Sequence, residues 1–497
     1  MLYIRVVKTA SNSRAVQIVY YRNRKRIIFK HIGSGHTDEE IASLKTVARD
    51  IIESTSLTLP FHEEFKFNNL LYIDKSEFLG VYYSFFYEVI SSLLKKIGFS
   101  KINSPLLLDL VIIRIFEPTS KLQSIDLLDL YFGIRHRRQS YYESAPKWLD
   151  IKGKVDEIAI NFAKKQYSFS FDLLFYDVTT LYFETFEEDE LRKNGFSKDN
   201  KTQQPQILIA LMVTKEGFPI TYEVFSGNTF EGHTILPVVK SFIKKNNVRE
   251  FTVVADAAMI SSDNIDQLLA NKINYIVGAR LGNISDKLLE QINLNIIRQD
   301  GKSIRIKTDR GFLICSYSTI RYRKDKHEME KQIEKAKFII ENPSKNKKLK
   351  FTKTNGQDII ELNQKLIDKT KKLLGIKGYY TNIDESEINN QTIIERYHEL
   401  YKIEQAFRIS KHDLQTRPIF HYKEQPIKLH LLICFMALIV SKHIELQTKT
   451  SIKKFISEAK KITDARLYNN LTKKEFKLRT QIQKDFQEIL QKLNLSH

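Results

Sequence analysis

Three acidic residues of this chain have the setting that metal-dependent phosphoryl transfer requires. Asp177 closes the apolar run FDLLFYD, Asp256 closes the run FTVVAD, and Glu404 lies on the apolar stripe of a predicted helix. Such chemistry needs a few carboxylates at one point, so that two hard cations about 3.5 to 4 Å apart can hold the attacking and leaving oxygens. Strand ends would place two of these carboxylates rigidly. The sequence therefore predicts a catalytic site at Asp177, Asp256 and Glu404.

Glu404 falls within a helix predicted from Thr392 to about His412. One face of this helix carries residues that follow one another in steps of three or four. They are Ile393, Tyr397, Leu400, Glu404, Phe407 and Lys411. A carboxylate within this stripe would lose hydration and would need a cation beside it. A bound metal ion would supply that cation.

Each acidic residue also has a purely structural interpretation. Asp177 or Asp256 taken singly could be an ordinary strand-end or turn aspartate, and Asp172, Asp263 and Asp266 lie nearby. Glu404 could pair with Arg408 at i+4 on the helix surface, a contact that contributes only about 0.2 to 0.5 kcal/mol. The occurrence of all three carboxylates in suitable positions favours the chemical interpretation.

The overall charge indicates a polyanionic partner. The chain has 497 residues, with 79 Lys and Arg against 59 Asp and Glu, which gives a net charge of +20. Nucleic acid is the first candidate for such a partner. The enrichment in Lys, Ile and Asn is also typical of an AT-rich coding genome, which accounts for part of this charge.

Cysteine content and hydropathy indicate the cellular compartment in which the protein is expected to act. Cys315 and Cys434 are too few for a disulfide framework or a cysteine-based zinc site, which fits a reducing cytoplasm. The longest apolar run, Leu429 to Val440, is too short to cross a hydrocarbon layer of about 30 Å. It predicts a buried core helix, and the N-terminus lacks the apolar segment of a signal peptide.

The elements between Ser168 and Arg280 must position the first two carboxylates. Apolar strands and helical patterns alternate there in the order β-β-β-α-β-α-β. The strands are predicted at Phe171 to Asp177, Gln206 to Val213, Pro219 to Phe225, Phe251 to Asp256 and Asn274 to Val277, and the helices at about 232 to 246 and 262 to 271. This order is that of a ribonuclease-H-like mixed sheet flanked by helices. In such a sheet the first and fourth strands are neighbours, which would bring Asp177 and Asp256 together.

The fold class predicted for the whole chain is mixed α/β, with a catalytic core that an insertion interrupts. Apolar stripes predict helices through Phe78 to Ile97 and Pro105 to Ile115. Six ranges follow: an N-terminal β-hairpin and helix module (1–60), a helical DNA-binding region (61–165), the first part of the core (166–280), a β-rich insertion domain (281–385), the second part of the core with the Glu404 helix (386–445), and a C-terminal helical region (446–497).

Four motifs surround the candidate carboxylates. They are YDVTTLYFE (Tyr176 to Glu184), VVADAAM (Val253 to Met259), IEQAFRISKHDL (Ile403 to Leu414) and RPIFH (Arg417 to His421). Together with Tyr397, Glu404 and Lys411 they resemble DDE transposases of the bacterial insertion-sequence class, in the branch marked by the helix signature Y-x2-R-x3-E-x6-K. Leu400 stands where that signature has arginine. The resemblance spans most of the chain.

The resemblance implies that Asp177, Asp256 and Glu404 bind Mg²⁺, for which Mn²⁺ can substitute. Water would attack the DNA backbone at the element's ends, and a freed 3′-hydroxyl would then attack target DNA. Tyr397 and Lys411 would hold the DNA near the cleavage site, with Arg408 as a replacement for the missing arginine. The implied partner is double-stranded DNA, both the terminal inverted repeats and the target, bound by a homodimer at the nucleoid in the cytoplasm, with no membrane.

Two other functions remain open. A nuclease on the same core would cut without joining, and a transposase-derived regulator would only bind DNA. Clustered carboxylates argue against the regulator, because they repel phosphate. The basic runs Arg22 to Arg26 and Arg135 to Arg138 could contact phosphates or could be solvated charge. The nearby histidines His398, His412 and His421 have no zinc-site spacing.

Overall fold

The computed structural model describes residues 2–10, 13–22, 24–56, 76–196, 203–248, 251–257, 261–342, 349–354, 360–470 and 473–495. Ala258 and Met259, the last residues of the VVADAAM motif, lie outside these ranges. The chain divides into two compact units. The first comprises Met1–Ser92, Lys121–Arg137 and Lys453–His497, and the second comprises Leu93–Ser120 and Arg138–Ile452.

The described chain contains both helices and strands, with a run of helices over residues 84–167 and another over residues 390–459. The strands are β1 (Tyr3–Lys8), β2 (Arg14–Arg22), β3 (Lys25–Gly35), β4 (Ser76–Tyr82), β5 (Leu173–Tyr182), β6 (Gln206–Thr214), β7 (Pro219–Ser226), β8 (Thr252–Ala255), β9 (Asn274–Ala279), β10 (Ser303–Thr308), β11 (Gly311–Tyr317), β12 (Thr352–Thr354), β13 (Ile360–Leu362), β14 (Ile376–Thr381), β15 (Asp464–Asn469) and β16 (Lys474–Arg479). The α-helices are α1 (Asp38–Ser56), α2 (Ser84–Ile97), α3 (Pro105–Phe116), α4 (Lys121–Phe132), α5 (Arg138–Trp148), α6 (Lys152–Tyr167), α7 (Ile235–Asn246), α8 (Ser262–Ala270), α9 (Asp286–Asn295), α10 (Thr319–Glu341), α11 (Gln364–Lys372), α12 (Asn390–His398), α13 (Tyr401–Arg408), α14 (Glu424–Thr448), α15 (Ile452–Ala459) and α16 (Lys484–Lys492).

An antiparallel sheet and one helix form the N-terminal module of the first unit. The strand order is β1-β2-β3, and α1 packs on the sheet through a core that includes Val16, Ile18 and Leu44. The N-terminus of α1 is capped reciprocally: the Glu40 carboxylate accepts hydrogen bonds from the backbone N–H groups of His36 and Thr37 at 2.7 and 3.3 Å. Arg22 pairs with Lys25 at the end of the β2–β3 hairpin, so the described residues of the predicted basic run Arg22 to Arg26 lie at its tip.

The first unit also contains a strand where the sequence predicts helix. Residues Ser76–Tyr82 form β4, which pairs with β15 in a second three-stranded sheet of order β16-β15-β4, and only Ser84–Ile97 is helical. The helical prediction for Phe78 onward is therefore wrong. The partner strand lies almost 400 residues further along the chain, so the local pattern carries no sign of this pairing.

An eight-stranded mixed sheet organises the second unit. Its strand order is β10-β11-β14-β9-β8-β5-β6-β7. Within it, β5, β6 and β7 are antiparallel neighbours, while β8 and β9 run parallel to β5 and to each other. All nine residues of β6 are buried, as expected for a strand covered on both faces. The predicted mixed α/β class and the ribonuclease-H-like strand order are confirmed.

The segment predicted as an insertion contributes strands to this same sheet. Strands β10, β11 and β14 pair antiparallel and extend the sheet beyond β9. Helix α10, the small β12–β13 ladder and α11 lie in the chain between β11 and β14, around a local core that includes Met329, Phe351 and Ile367. The six predicted ranges themselves stay a prediction.

Helix α14 forms the helical core of the second unit and contacts α3 and β7. Within the part of the chain that the structure describes, it is the one helix long and apolar enough to cross a membrane, and 94% of its most apolar window is buried inside the protein. Such burial is typical of the core helix of a globular protein. The prediction of a buried helix at Leu429 to Val440 is confirmed.

Helix α14 also buries an imidazole. The Nδ1 atom of His443 lies 2.8 Å from the Tyr167 hydroxyl, and the ring packs edge-on against Phe162. Burial, together with the positive charge of Lys96, lowers the pKa of His443 to about 4. The folded protein therefore holds this imidazole neutral at pH values where the unfolded chain protonates it.

We predict that His443 makes the protein less stable in mild acid. The unfolded state binds the extra proton below its pKa of 6.5, whereas the folded state resists it until about pH 4. The free energy of unfolding should therefore fall by roughly 3 kcal/mol between these pH values, relative to a His443→Gln variant. Urea unfolding of both proteins from pH 4 to 7 measures the difference. Parallel curves for the two proteins would contradict it.

Candidate active site

Strands β5 and β8 place Asp177 beside Asp256. The parallel register pairs Tyr176 of β5 with Ala255 of β8, and the next residue after each of them is Asp177 and Asp256, respectively. Neighbouring strands lie roughly 4.8 Å apart. Asp256 is exposed and Asp177 half-buried. The structure thus places the two predicted aspartates directly after the last paired residues of two neighbouring strands.

Asp177 does not end its strand, contrary to the prediction. Strand β5 continues to Tyr182, because residues beyond Asp177 remain paired with β6 and mostly buried. Asp256, by contrast, directly follows β8 as predicted. Each aspartate accepts a hydrogen bond at Oδ1 from the next backbone N–H, from Val178 at 2.8 Å and from Ala257 at 2.7 Å.

Glu404 lies on α13, which contacts β5 and β6, whereas α12 contacts β8 and β9. The predicted continuous helix is interrupted at residues 399–400, where Lys402 and Ile403 donate backbone hydrogen bonds to the third preceding carbonyl at 3.0 and 3.1 Å. This tighter turn changes the buried face, which in α13 is formed by Ile403, Ala406 and Phe407. Glu404 is exposed. The predicted loss of hydration at Glu404 is therefore wrong.

Tyr397 links the end of α12 to Asp256. Its hydroxyl donates a hydrogen bond to Asp256 Oδ1 at 3.2 Å, and its ring lies edge-on to Tyr379 with centroids 5.0 Å apart. Burial raises the pKa of Tyr397, and the charges of Asp256 and Glu404 add to this effect. Both carboxylates therefore lie within electrostatic reach of one hydroxyl, which connects the second and third predicted acidic residues.

A glycine on β9 makes room for Tyr397. A Cβ atom built on Gly278 would lie 2.4 Å from the Tyr397 hydroxyl oxygen and 3.2 Å from the Ala257 Cβ. Any side chain at this position would displace the tyrosine from Asp256. Gly278 is thus a part of the site that the sequence analysis missed, and no local pattern identifies it.

Lys377 is a second residue that the sequence analysis missed. Its ammonium nitrogen lies 4.7 Å from the ring centroid of Tyr397 and 5.5 Å from that of Tyr379. Burial lowers the pKa of Lys377, as does the charge of Arg321, while Asp256 and Glu404 raise it. A charged residue within the otherwise uncharged strand β14 is the only signal in the sequence.

The carboxylate oxygens suit a hard divalent cation such as Mg²⁺, which prefers oxygen ligands. Across the described ranges, no three His, Cys, Asp or Glu side chains form a ready metal-binding group. The structure places Asp177 and Asp256 directly after the last paired residues of β5 and β8. The charge of Glu404 raises the pKa of Tyr397 and of Lys377, as the charge of Asp256 does. Hydrogen bonds to Asp256 from described residues go to Oδ1, which leaves Oδ2 for a cation.

The other predicted residues of the helix lie in different environments. Leu400 is buried, so the position of the missing arginine faces the protein core. Arg408 is exposed at the end of α13, and Lys411 is half-buried in the π-helical turn Ile409–Asp413. Burial lowers the pKa of Lys442 on α14, and the charge of Arg408 contributes to this. Arg408 is therefore near α14.

Comparison with known proteins gives one family and one similar structure of note. Residues 169–440, which include all three candidate carboxylates, match the family described as the transposase DDE domain. A similar solved structure is the cryo-EM structure of the piggyBac transposase synaptic complex with hairpin DNA, at 13% identity and a TM-score of 0.38, covering 76% of this chain and 69% of that one. No curated protein matches this chain in sequence.

We predict that Gly278→Ala destabilises the protein through Tyr397. The added methyl would meet the tyrosine hydroxyl at 2.4 Å, and overpacking of this kind costs about 1 to 3 kcal/mol. Chemical denaturation measures the loss. Because the hydroxyl is the nearest atom, the loss should be smaller in a Tyr397→Phe background.

Gly282→Ala is the matched control, since a Cβ there would meet no atom within 4 Å. It should leave the free energy of unfolding nearly unchanged. Equal effects of the two glycine substitutions would contradict the assignment. So would a loss of stability from Gly278→Ala that stays undiminished in the Tyr397→Phe background.

Proposed function

Because the chain belongs to the transposase DDE domain family, we propose that it cuts DNA at the ends of its element and joins those ends to target DNA. The reaction is metal-dependent phosphoryl transfer at Asp177, Asp256 and Glu404. The observation that carries this proposal is the register of β5 and β8, which pairs Tyr176 with Ala255, so that Asp177 and Asp256 both come directly after the last pair. Two carboxylates side by side on rigid strands suit this chemistry.

Asp177, Asp256 and Glu404 would hold Mg²⁺, for which Mn²⁺ can substitute, and the bound ions would supply electrostatic activation of the attacking oxygen and stabilisation of the leaving one. Tyr397 orients Asp256 by its hydrogen bond to Oδ1, and Gly278 leaves the space that this contact needs. The protein thus contributes placement and charge, and no covalent link to the protein is required.

The proposed partner is double-stranded DNA, both the terminal inverted repeats and the target. The net charge of +20 supports a polyanionic partner. Arg408 and Lys411 contact DNA near the cleavage site, whereas buried Tyr397 acts mainly through Asp256. Pairing two DNA ends requires at least a homodimer during the reaction. The two free, buried thiols fit action at the nucleoid in a reducing cytoplasm.

We predict that Asp177→Asn, Asp256→Asn and Glu404→Gln each abolish strand cleavage while DNA binding persists. Each substitution removes a charge that a divalent cation needs but keeps the shape of the side chain. Cleavage is measured with DNA that carries the flanks of the protein's own gene, in Mg²⁺ or in EDTA. Binding is measured on the same DNA by mobility shift.

Asp263→Asn is the matched control, because Asp263 is an exposed aspartate on the first turn of α8. It should cut like the wild type. A triad variant that still cuts at the wild-type rate would remove that residue from the site. Binding without cleavage by the wild type under every metal condition would favour the DNA-binding regulator.

We predict that the tip of the β2–β3 hairpin contributes phosphate contacts. Arg24 and Lys25 are exposed there, and Arg26 lies against the Tyr21 ring at 5.6 Å. The variant Arg24→Gln with Lys25→Gln should weaken DNA binding and lower the slope of log affinity against log salt by about 2. Arg49→Gln, an exposed cation on α1 of the same module, is the control. An unchanged salt slope would show that the tip is solvated charge.

A further inference from the structure

Two aromatic rings hold Lys377 near Asp256 and Glu404. Strand β14 carries it between β11 and β9, where Lys377 pairs with Ser316 and Gly378 pairs with Ala279. Its ammonium lies over the faces of Tyr397 and Tyr379 at 4.7 and 5.5 Å. Rings at this distance attract a cation through their quadrupole. The side chain is therefore fixed near the hydroxyl that binds Asp256.

The Lys377 ammonium lacks a close polar partner in the described part of the chain. Every salt bridge found there within 4.0 Å involves other residues, and so does every side-chain hydrogen bond. A half-buried ammonium that has lost water without gaining an acceptor is unfavourable. Asp256 and Glu404 act on Lys377 only through space, since both raise its pKa against the effects of burial and of Arg321. The site thus keeps an unused hydrogen-bond donor.

A second cation lies close to Lys377. Arg321, near the start of α10, acts on Lys377 electrostatically, and both side chains line a cavity of about 320 Å³ together with Lys350 and Lys369. Arg321 pairs with Asp325 at 3.3 Å and remains almost half exposed. Two like charges repel unless an anion lies between or beside them. Asp325 and Glu328 line the same cavity, so four cationic side chains meet two carboxylates there, and the excess of positive charge favours an anionic ligand.

We propose that Lys377 binds a backbone phosphate of the DNA in the active site, with Arg321 as a neighbouring cation. This inference rests on the proposed function and adds a residue outside the helix signature. Lysine suits this role because its ammonium is a compact charge with three donors. Cations bound by Asp256 and Glu404 would neutralise these carboxylates, and the phosphate would then be the remaining partner of Lys377. Lys377 binds and positions substrate, and it exchanges no proton.

The test uses neutral phosphate analogues in the DNA. A duplex with the flanks of the protein's own gene is made with a methylphosphonate at one position at a time, and binding is measured in Ca²⁺, which takes oxygen ligands in a looser geometry than Mg²⁺, so that the carboxylates are neutralised without catalysis. In the wild type, one or a few positions should weaken binding about tenfold when neutralised, the size expected for one charge-assisted hydrogen bond. In Lys377→Met the unmodified duplex should bind about tenfold more weakly, and those same positions should no longer respond.

Two variants guard against loss of folding. Lys377→Arg keeps the charge and should retain most of the affinity and the wild-type response to methylphosphonates. Lys326→Met removes an exposed lysine of the same helix α10 that does not line the cavity and pairs with Glu330 at 3.9 Å, and it should also keep the wild-type pattern. Far-UV circular dichroism and thermal unfolding establish that each variant is folded.

The inference is overturned if binding by the Lys377→Met variant responds to every methylphosphonate as wild-type binding does. This holds even if the protein cuts DNA. A loss of affinity that Lys377→Arg shares in full would also overturn it. If Lys377→Met erases the response at particular phosphates but no condition yields cleavage, the phosphate contact stands and the catalytic proposal fails. Binding and cleavage measurements on the same protein preparation therefore test the Lys377–phosphate contact and the catalytic proposal independently.

Discussion

Parallel pairing of β5 with β8 is the constraint on which the candidate site depends. The two strands are joined through β6, β7 and α7, so their register is set by tertiary packing and by no turn. Because side chains alternate along a strand, a slip of one residue would direct Asp256 to the opposite face from Asp177. All four residues of β8 are buried, so such a slip would force apolar side chains to repack on both faces of the sheet.

Tyr397 extends this constraint to the third acidic residue. Its hydroxyl reaches Asp256 only because β9 has a glycine at position 278. The same ring supports the ammonium of Lys377, which comes from β14 on the other side of β9. A residue of α12 thus joins β8, β9 and β14 at one place. The chemistry proposed for the carboxylates depends on this small group of packed side chains as much as on the carboxylates themselves.

Much of this arrangement is predictable from the sequence where a strong local pattern carries it. The apolar runs before Asp177 and Asp256 identify two strands, and the run Leu429 to Val440 identifies a buried helix. The strand order follows from the alternation of such runs with helical patterns. Three features are not predictable in this way: the break at residues 399–400, the pairing of β4 with β15, and the contribution of β14 to the main sheet. Each depends on partners far along the chain, which a local period does not record.

The site is assembled from segments that are made at very different times. Glu404 follows Asp256 by 404 − 256 = 148 positions along the chain. At ribosomal rates of about 5 to 20 residues per second, this interval lasts about 7 to 30 seconds. A nascent chain that has folded β5 to β9 already pairs its two aspartates but has neither Tyr397 nor Glu404. Synthesis itself therefore keeps Glu404 and Tyr397 apart from the two aspartates until α12 and α13 have emerged.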